Sequence, residues 1–267
     1  MDTNLLADIL EDTLGPTLIA CVLGGILYGI FTLQTYFYYQ TFSKDTWPLK
    51  LLTSFVWSLV PFHRFDVRTL ETVHMGLIIG SLYNIAVLDA KNLFKMMIMP
   101  YSFIASVFVT ASLFLVLSLF MVYRINKLSQ TGLIAWICAP LSIVRSAFVV
   151  TLGVLTLEGS RNFPRFVTHH RQILIISMGM GAFTDVLLSG CMVYLLWGKQ
   201  KGSNFSTTTR KIEKLIIFTI ETGCVTGLLS LINMICLVTM PDEWIWLAIH
   251  MIVPKGVVLN NLSDMGC

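Results

Sequence analysis

Charge is what this chain has least of: Lys plus Arg (18) and Asp plus Glu (15) amount to 12% of 267 residues, against 55% hydrophobic. So little polar surface cannot cover a soluble globule, and the composition points to a membrane protein. The few basic residues scatter between apolar runs and form no phosphate-binding face, which sets nucleic acid aside as a partner. A disulfide or zinc framework is missing too. Of six cysteines all but Cys267 (Cys21, Cys138, Cys191, Cys224, Cys236) lie inside apolar runs, where a thiol acts as a small hydrophobe, and no Cys-x-x-Cys occurs. No His-Glu-x-x-His, Gly-x-Ser-x-Gly, P-loop or kinase signature is present, so no enzymatic role is expected. Asp2, Asp8, Glu11 and Asp12 stand where a secretory leader has basic residues, so a cleaved signal is not expected. Cys267 is last rather than fourth from last, so a prenylation box is not expected.

What the chain does have is long apolar runs. A helix rises about 1.5 Å per residue, so a hydrocarbon core of about 30 Å takes roughly 20 residues. Six runs reach that length: Pro16 to Tyr39, Pro100 to Tyr123, Thr131 to Leu157, Gln172 to Trp197, Lys214 to Thr239 and Glu243 to Leu262. A seventh, Leu70 to Leu88, reaches it only by including Glu71 and His74, and the apolar piece "LKLLTSFVWSLV" ahead of it is too short to span alone. The expectation is an all-α membrane protein, a bundle of about seven transmembrane helices whose second span is interrupted by a polar insert. Residues 1–15 form an outer tail, 16–262 the helical domain and 263–267 a cytoplasmic tail.

Boundary chemistry agrees. Pro16, Pro100 and Pro241 open spans, Pro140 and Pro254 are expected to kink them, and the aromatics of "YFYYQ", Trp197, Trp244 and Trp246 fit the headgroup level. With the N-terminus outside, the inner loops hold Lys44, Lys50, Arg124, Lys127, Lys199, Lys201, Arg210, Lys211 and Lys214, and the outer ones Lys91, Lys95, Arg161, Arg165 and Arg171. The excess of basic residues inside predicts the N-terminus out and the C-terminus in the cytoplasm, in a plasma or internal membrane. Apart from the lipid bilayer, partners enter through small-residue faces: Gly25-xxx-Gly29, Gly76-xxx-Gly80, Gly223-xxx-Gly227 and "SMGMGA" fit helix packing within the chain or a homodimer.

Polar groups at membrane depth cost about 2.5 to 3.5 kcal/mol on insertion scales and usually face the bundle interior. Gln34, Glu71, His74, Arg145, Asp185, Glu221, Asn233 and Lys255 are the candidates. Arg145 pairing with Asp185 or Glu221 is the structural reading; a ligand or proton site is the functional one. Glu71 and His74 carry the Glu-x-x-His spacing of di-iron bundles, but no second such pair exists, so no metal is expected. His169-His170 falls in an outer loop and reads as solvated. Lys255 invites comparison with a retinal lysine, yet Met251 stands where a microbial rhodopsin has Asp. No cofactor is expected.

The order of motifs in the second half resembles an integral-membrane family of basidiomycete fungi known as domain of unknown function 6534. Thr184-Asp185, Thr208 to Lys211, Lys214-Leu215-Ile216, Thr222-Gly223, Thr226, Met240-Pro241, Lys255 and Asn260-Asn261 occupy the family's positions, most clearly over 172–262. Gly15-Pro16, Gln34 with "YFYYQ", and "KDTWPLKLL" extend the resemblance to the front half. It implies seven helices, an extracellular N-terminus and no assigned chemistry. Glu221 stands where the family has Asn, and "LSDMGC" replaces its usual ending. In the family the second span runs unbroken from a Trp to an acid-Thr-x-His step. Here Trp57 and Glu71 to His74 supply the two ends, and Ser58 to Thr69 between them reads as an insertion or a gene-model error. The functional expectation is a receptor-like seven-helix bundle with unknown ligand. The alternative is a small-solute or proton transporter using Asp185 and Glu221. "VYRIN" after the third span replaces the Asp-Arg-Tyr of G-protein-coupled receptors.

Overall fold

The structure is a computed structural model and describes residues 14–30, 32–33, 67–89, 92–129, 132–159, 161–201, 226–240 and 243–252. Helix α1 is Leu14–Ile30. Helix α2, Val67–Tyr83, runs on into a π-helical turn, Asn84–Leu88, and a single helical turn follows at Leu93–Met96. Helices α3 (Tyr101–Leu128), α4 (Leu133–Glu158) and α5 (Phe163–Lys201) are long. Helix α6 is Thr226–Thr239, and α7 occupies 245–252. Four stretches are long and apolar enough to cross a membrane: Thr69–Leu88, Tyr101–Leu128, Leu133–Glu158 and Phe163–Gly198. They match the second to fifth spans expected from sequence; α6 and α7 fall within the sixth and seventh, and α1 overlaps the first, starting two residues ahead of it. The insert lies outside the described residues up to Asp66, while Val67 to Thr69, read as its end, already belong to α2.

Helix α4 shows what packs these helices. Its buried residues are Ala135, Cys138, Ser142, Arg145, Ser146, Val149, Gly153 and Thr156, a stripe recurring every three or four positions. Small and polar side chains line it, while Leu133, Trp136, Ile137, Ile143, Val144, Val150, Val154 and Leu157 point outward, Trp136 being 81% exposed. A soluble helix buries the second set and exposes the first. Lipid reverses the arrangement, because large apolar side chains gain nothing by leaving it and small ones allow close backbone approach. At Gly153 a Cβ would stand 2.9 Å from Cζ of Phe108, and at Gly227 it would stand 3.0 Å from Cγ2 of Val186. The glycine pairs singled out from sequence are thus not alike: Gly227 presses on a neighbour, whereas Gly29, Gly76 and Gly80 have none within 4 Å of that point.

The connections α2–α3, α4–α5 and α6–α7 meet at one end, the one the charge count assigns to the outside. Met99 N–H donates to the Arg161 carbonyl (2.8 Å) and Phe163 N–H to the Met97 carbonyl (2.8 Å), around an antiparallel bridge of Ile98 with Asn162. Arg171 Nη2 donates to the Val238 carbonyl (2.8 Å), satisfying an end of α6 that its own backbone cannot. Two expectations change here. Helix α5 begins at Phe163 rather than Gln172, because Asn162 caps it through the Arg165 N–H (3.3 Å) and Pro164 suits a first turn. His169 and His170 are therefore helical, at a bend where His170 takes φ −109°, ψ 19°. Trp244 and Trp246, expected at headgroup level, are buried against Phe163, with ring centroids 4.6 and 5.7 Å away.

Candidate functional site

Two apolar clusters fill the interior. One gathers Ile78, Met99, Phe163, Leu237 and Trp244 toward the end where the α2–α3 and α4–α5 connections meet, and the other Val122, Ile125, Cys138, Leu188 and Met192 toward the opposite end. Between them lies a belt of polar side chains that the bilayer would exclude unless they found partners.

At its centre Arg145 of α4 makes a two-pronged ion pair with Asp185 of α5. Nη1 bonds Oδ1, and Nη2 donates to Oδ2 at 3.3 Å. A planar guanidinium and a carboxylate match in this fork geometry. Arg145 keeps 6% of its side chain accessible and Asp185 17%. Gly181, one turn before Asp185, makes room for the fork: a Cβ there would lie 3.5 to 3.7 Å from the guanidinium atoms. Phe114 of α3 places its ring 4.4 Å from Arg145 Cζ, so the cation is covered on its face as well as satisfied at its edge.

Phe114 also neighbours His250 of α7, with ring centroids 6.4 Å apart. His250 Nδ1 is 3.5 Å from Nδ2 of Asn233 on α6, and Asn233 Oδ1 is buried with no hydrogen-bond partner among the described residues. Helices α3 to α7 thus all contribute one side chain or more to this belt. A second polar contact joins α2 to α3. The Thr110 hydroxyl donates to the Ser106 carbonyl (2.8 Å), so the 2.9 Å contact with His74 has Nε2–H of the ring as donor. Glu71 lies one turn before His74 on the same buried face.

Of the eight residues singled out from sequence, Arg145 and Asp185 are brought together, with Asn233 beside them across Phe114 and His250. His74 and Glu71 lie on α2. Gln34, Glu221 and Lys255 lie outside the described residues. Sequence reasoning passed over His250 and Phe114. A lone His inside the run "WLAIHMIV" signals an interior imidazole, but nothing in the chain announces which Phe faces an arginine. No group of three metal-ligating side chains occurs among the described residues.

The fold and belt define a helical bundle with four membrane-length helices held around a buried charge pair. Residues 181–262 match a family described as "Family of unknown function (DUF6534)". That stretch carries Gly181, Asp185, Asn233 and His250, whereas Arg145 lies before it. No curated protein and no solved structure matches the chain.

Proposed function

We propose that this chain is an integral membrane protein that works as a receptor-like bundle of seven helices, non-catalytic and without cofactor, with its N-terminus outside and C-terminus in the cytoplasm. The observation that carries this reading is the Arg145–Asp185 pair set against Phe114 and His250. A neutral, satisfied pair joining α4 to α5 is a natural two-state element: closed, it holds the helices together, and a ligand or helix movement that parts it changes their packing. The transporter reading requires Asp185 to exchange a proton or solute while held in this fork, so each cycle would break the pair. Purified protein in proteoliposomes under an imposed proton gradient separates the two. The receptor-like reading expects no gradient-driven charge movement above that of empty liposomes. A current abolished by Asp185→Asn would establish transport instead.

A further inference from the structure

The basic residues that look scattered in the sequence converge at the outer end. A cleft of about 290 Å³ opens between the end of α4 and the start of α5, and Arg161, Asn162, Arg165, Phe166, His169 and His170 line it, with Leu155 and Thr156 of α4 on its other wall. Two arginines and two histidines are among the lining residues, and no Asp or Glu is. From these observations we propose that this cleft binds a phosphate-class oxyanion, either the phosphate of a membrane lipid headgroup or a soluble phosphate or phosphomonoester.

The framework is built before any ligand arrives. Arg161 adopts the left-handed region (φ 52°), which a non-glycine residue occupies only when its surroundings hold it there. Its backbone carbonyl is fixed by Met99 N–H at 2.8 Å and its guanidinium by the Tyr101 ring, 4.2 Å from Cζ. Asn162 is held as the cap of α5 and Phe163 by Trp246 stacked on it and Trp244 tilted against it, so the turn between the two helices is anchored on both sides. His169 and His170 pack edge to face at 4.9 Å, and Phe166 backs His170 at 5.1 Å. The donors match a group with three or four oxygens better than a carboxylate with two, since forked Arg groups and imidazole N–H groups can each take a separate oxygen. The cleft stands at the lower edge of the roughly 300 to 1,000 Å³ of small-molecule sites, room for a headgroup phosphate or a small anion. Its place where apolar helices end is where lipid phosphates lie. This inference does not depend on the receptor-like reading.

The test is thermal unfolding of the full chain in neutral maltoside micelles at fixed ionic strength. One arm titrates inorganic phosphate; the other titrates phosphatidic acid, with phosphatidylcholine as its control. A saturable rise in Tm with phosphate identifies a soluble ligand, and a rise confined to phosphatidic acid identifies a headgroup; either supports the proposal. The apparent affinity should fall about tenfold for each charge-assisted bond removed in Arg165→Gln and in His169→Gln, and stay unchanged in Lys95→Gln, a basic residue away from the cleft. Arg165 and His169 are exposed, so these variants keep the fold even where Arg161→Gln disturbs the turn. No saturable shift in either arm, or a shift that Arg165→Gln and His169→Gln leave intact, would overturn it.

Discussion

Removing Asp185 asks most of this structure. Asp185→Ala leaves the Arg145 guanidinium, 6% accessible, inside the bundle with its cation–π contact but no counter-charge. Breaking one side of a buried pair costs about 3 to 5 kcal/mol, most of it the stranded charge rather than the lost bond. Because Asp185 itself retains 17% access, Arg145→Met strands a partly solvated carboxylate and should cost less, about 2 to 3 kcal/mol, including the contact with Phe114. Replacing both, as Arg145→Met with Asp185→Leu, strands nothing and should fall within about 1 kcal/mol of the parent. The signature is therefore non-additivity: two damaging single changes whose combination is mild. Unfolding in mixed micelles with increasing dodecyl sulfate, followed by the fluorescence of buried Trp244 and Trp246, measures all four proteins. Single variants within about 1 kcal/mol of the parent, or a double variant equal to the sum of the singles, would refute the reasoning.

Three further outcomes follow from the packing. Gly153→Ala drives a methyl into the Phe108 ring and should lower stability by about 1 to 2 kcal/mol, relieved by Phe108→Leu, whereas Gly76→Ala should be neutral or slightly stabilising; the same unfolding assay checks both. Cys138 of α4 and Cys191 of α5 are free thiols packed in the same apolar cluster, so copper-phenanthroline should oxidise them to a disulfide in a variant lacking the other four cysteines, read as loss of maleimide labelling after denaturation. Arg171→Ala should cost about 1 kcal/mol by releasing the Val238 carbonyl, and Arg171→Lys should recover part of it.

The long helices were legible because length and apolarity alone define them: Tyr101–Leu128 and Leu133–Glu158 lie within a few residues of the spans counted along the chain. The pairing of Arg145 with Asp185 was legible as one of two options, since an isolated charge in a bilayer needs a partner and few were on offer. What the sequence could not convey was three-dimensional. The start of α5 was misplaced because its first two turns, from Phe163 to His170, are polar enough to read as loop, while the Asn162 cap and the stacking of Phe163 on Trp246 make them helix. The glycine pairs were visible as motifs, but which glycines press on a neighbour depends on helix rotation, and that selects Gly153 and Gly227 over Gly76 and Gly80. Arg161, Arg165, His169 and His170 read as ordinary basic positions until the turn between α4 and α5 folded them around one cleft.

The exposed apolar faces of the long helices belong in lipid. Spin labels placed singly at Ile143, 55% exposed, and at its neighbour Ser142, 0% exposed, in the middle of α4 test it directly in reconstituted bilayers. Collision with oxygen, which partitions into lipid, should be high at Ile143 and low at Ser142, and collision with a water-soluble nickel chelate should be low at both. Ready access of the nickel chelate to Ile143 would place that face in water and contradict a membrane-embedded bundle.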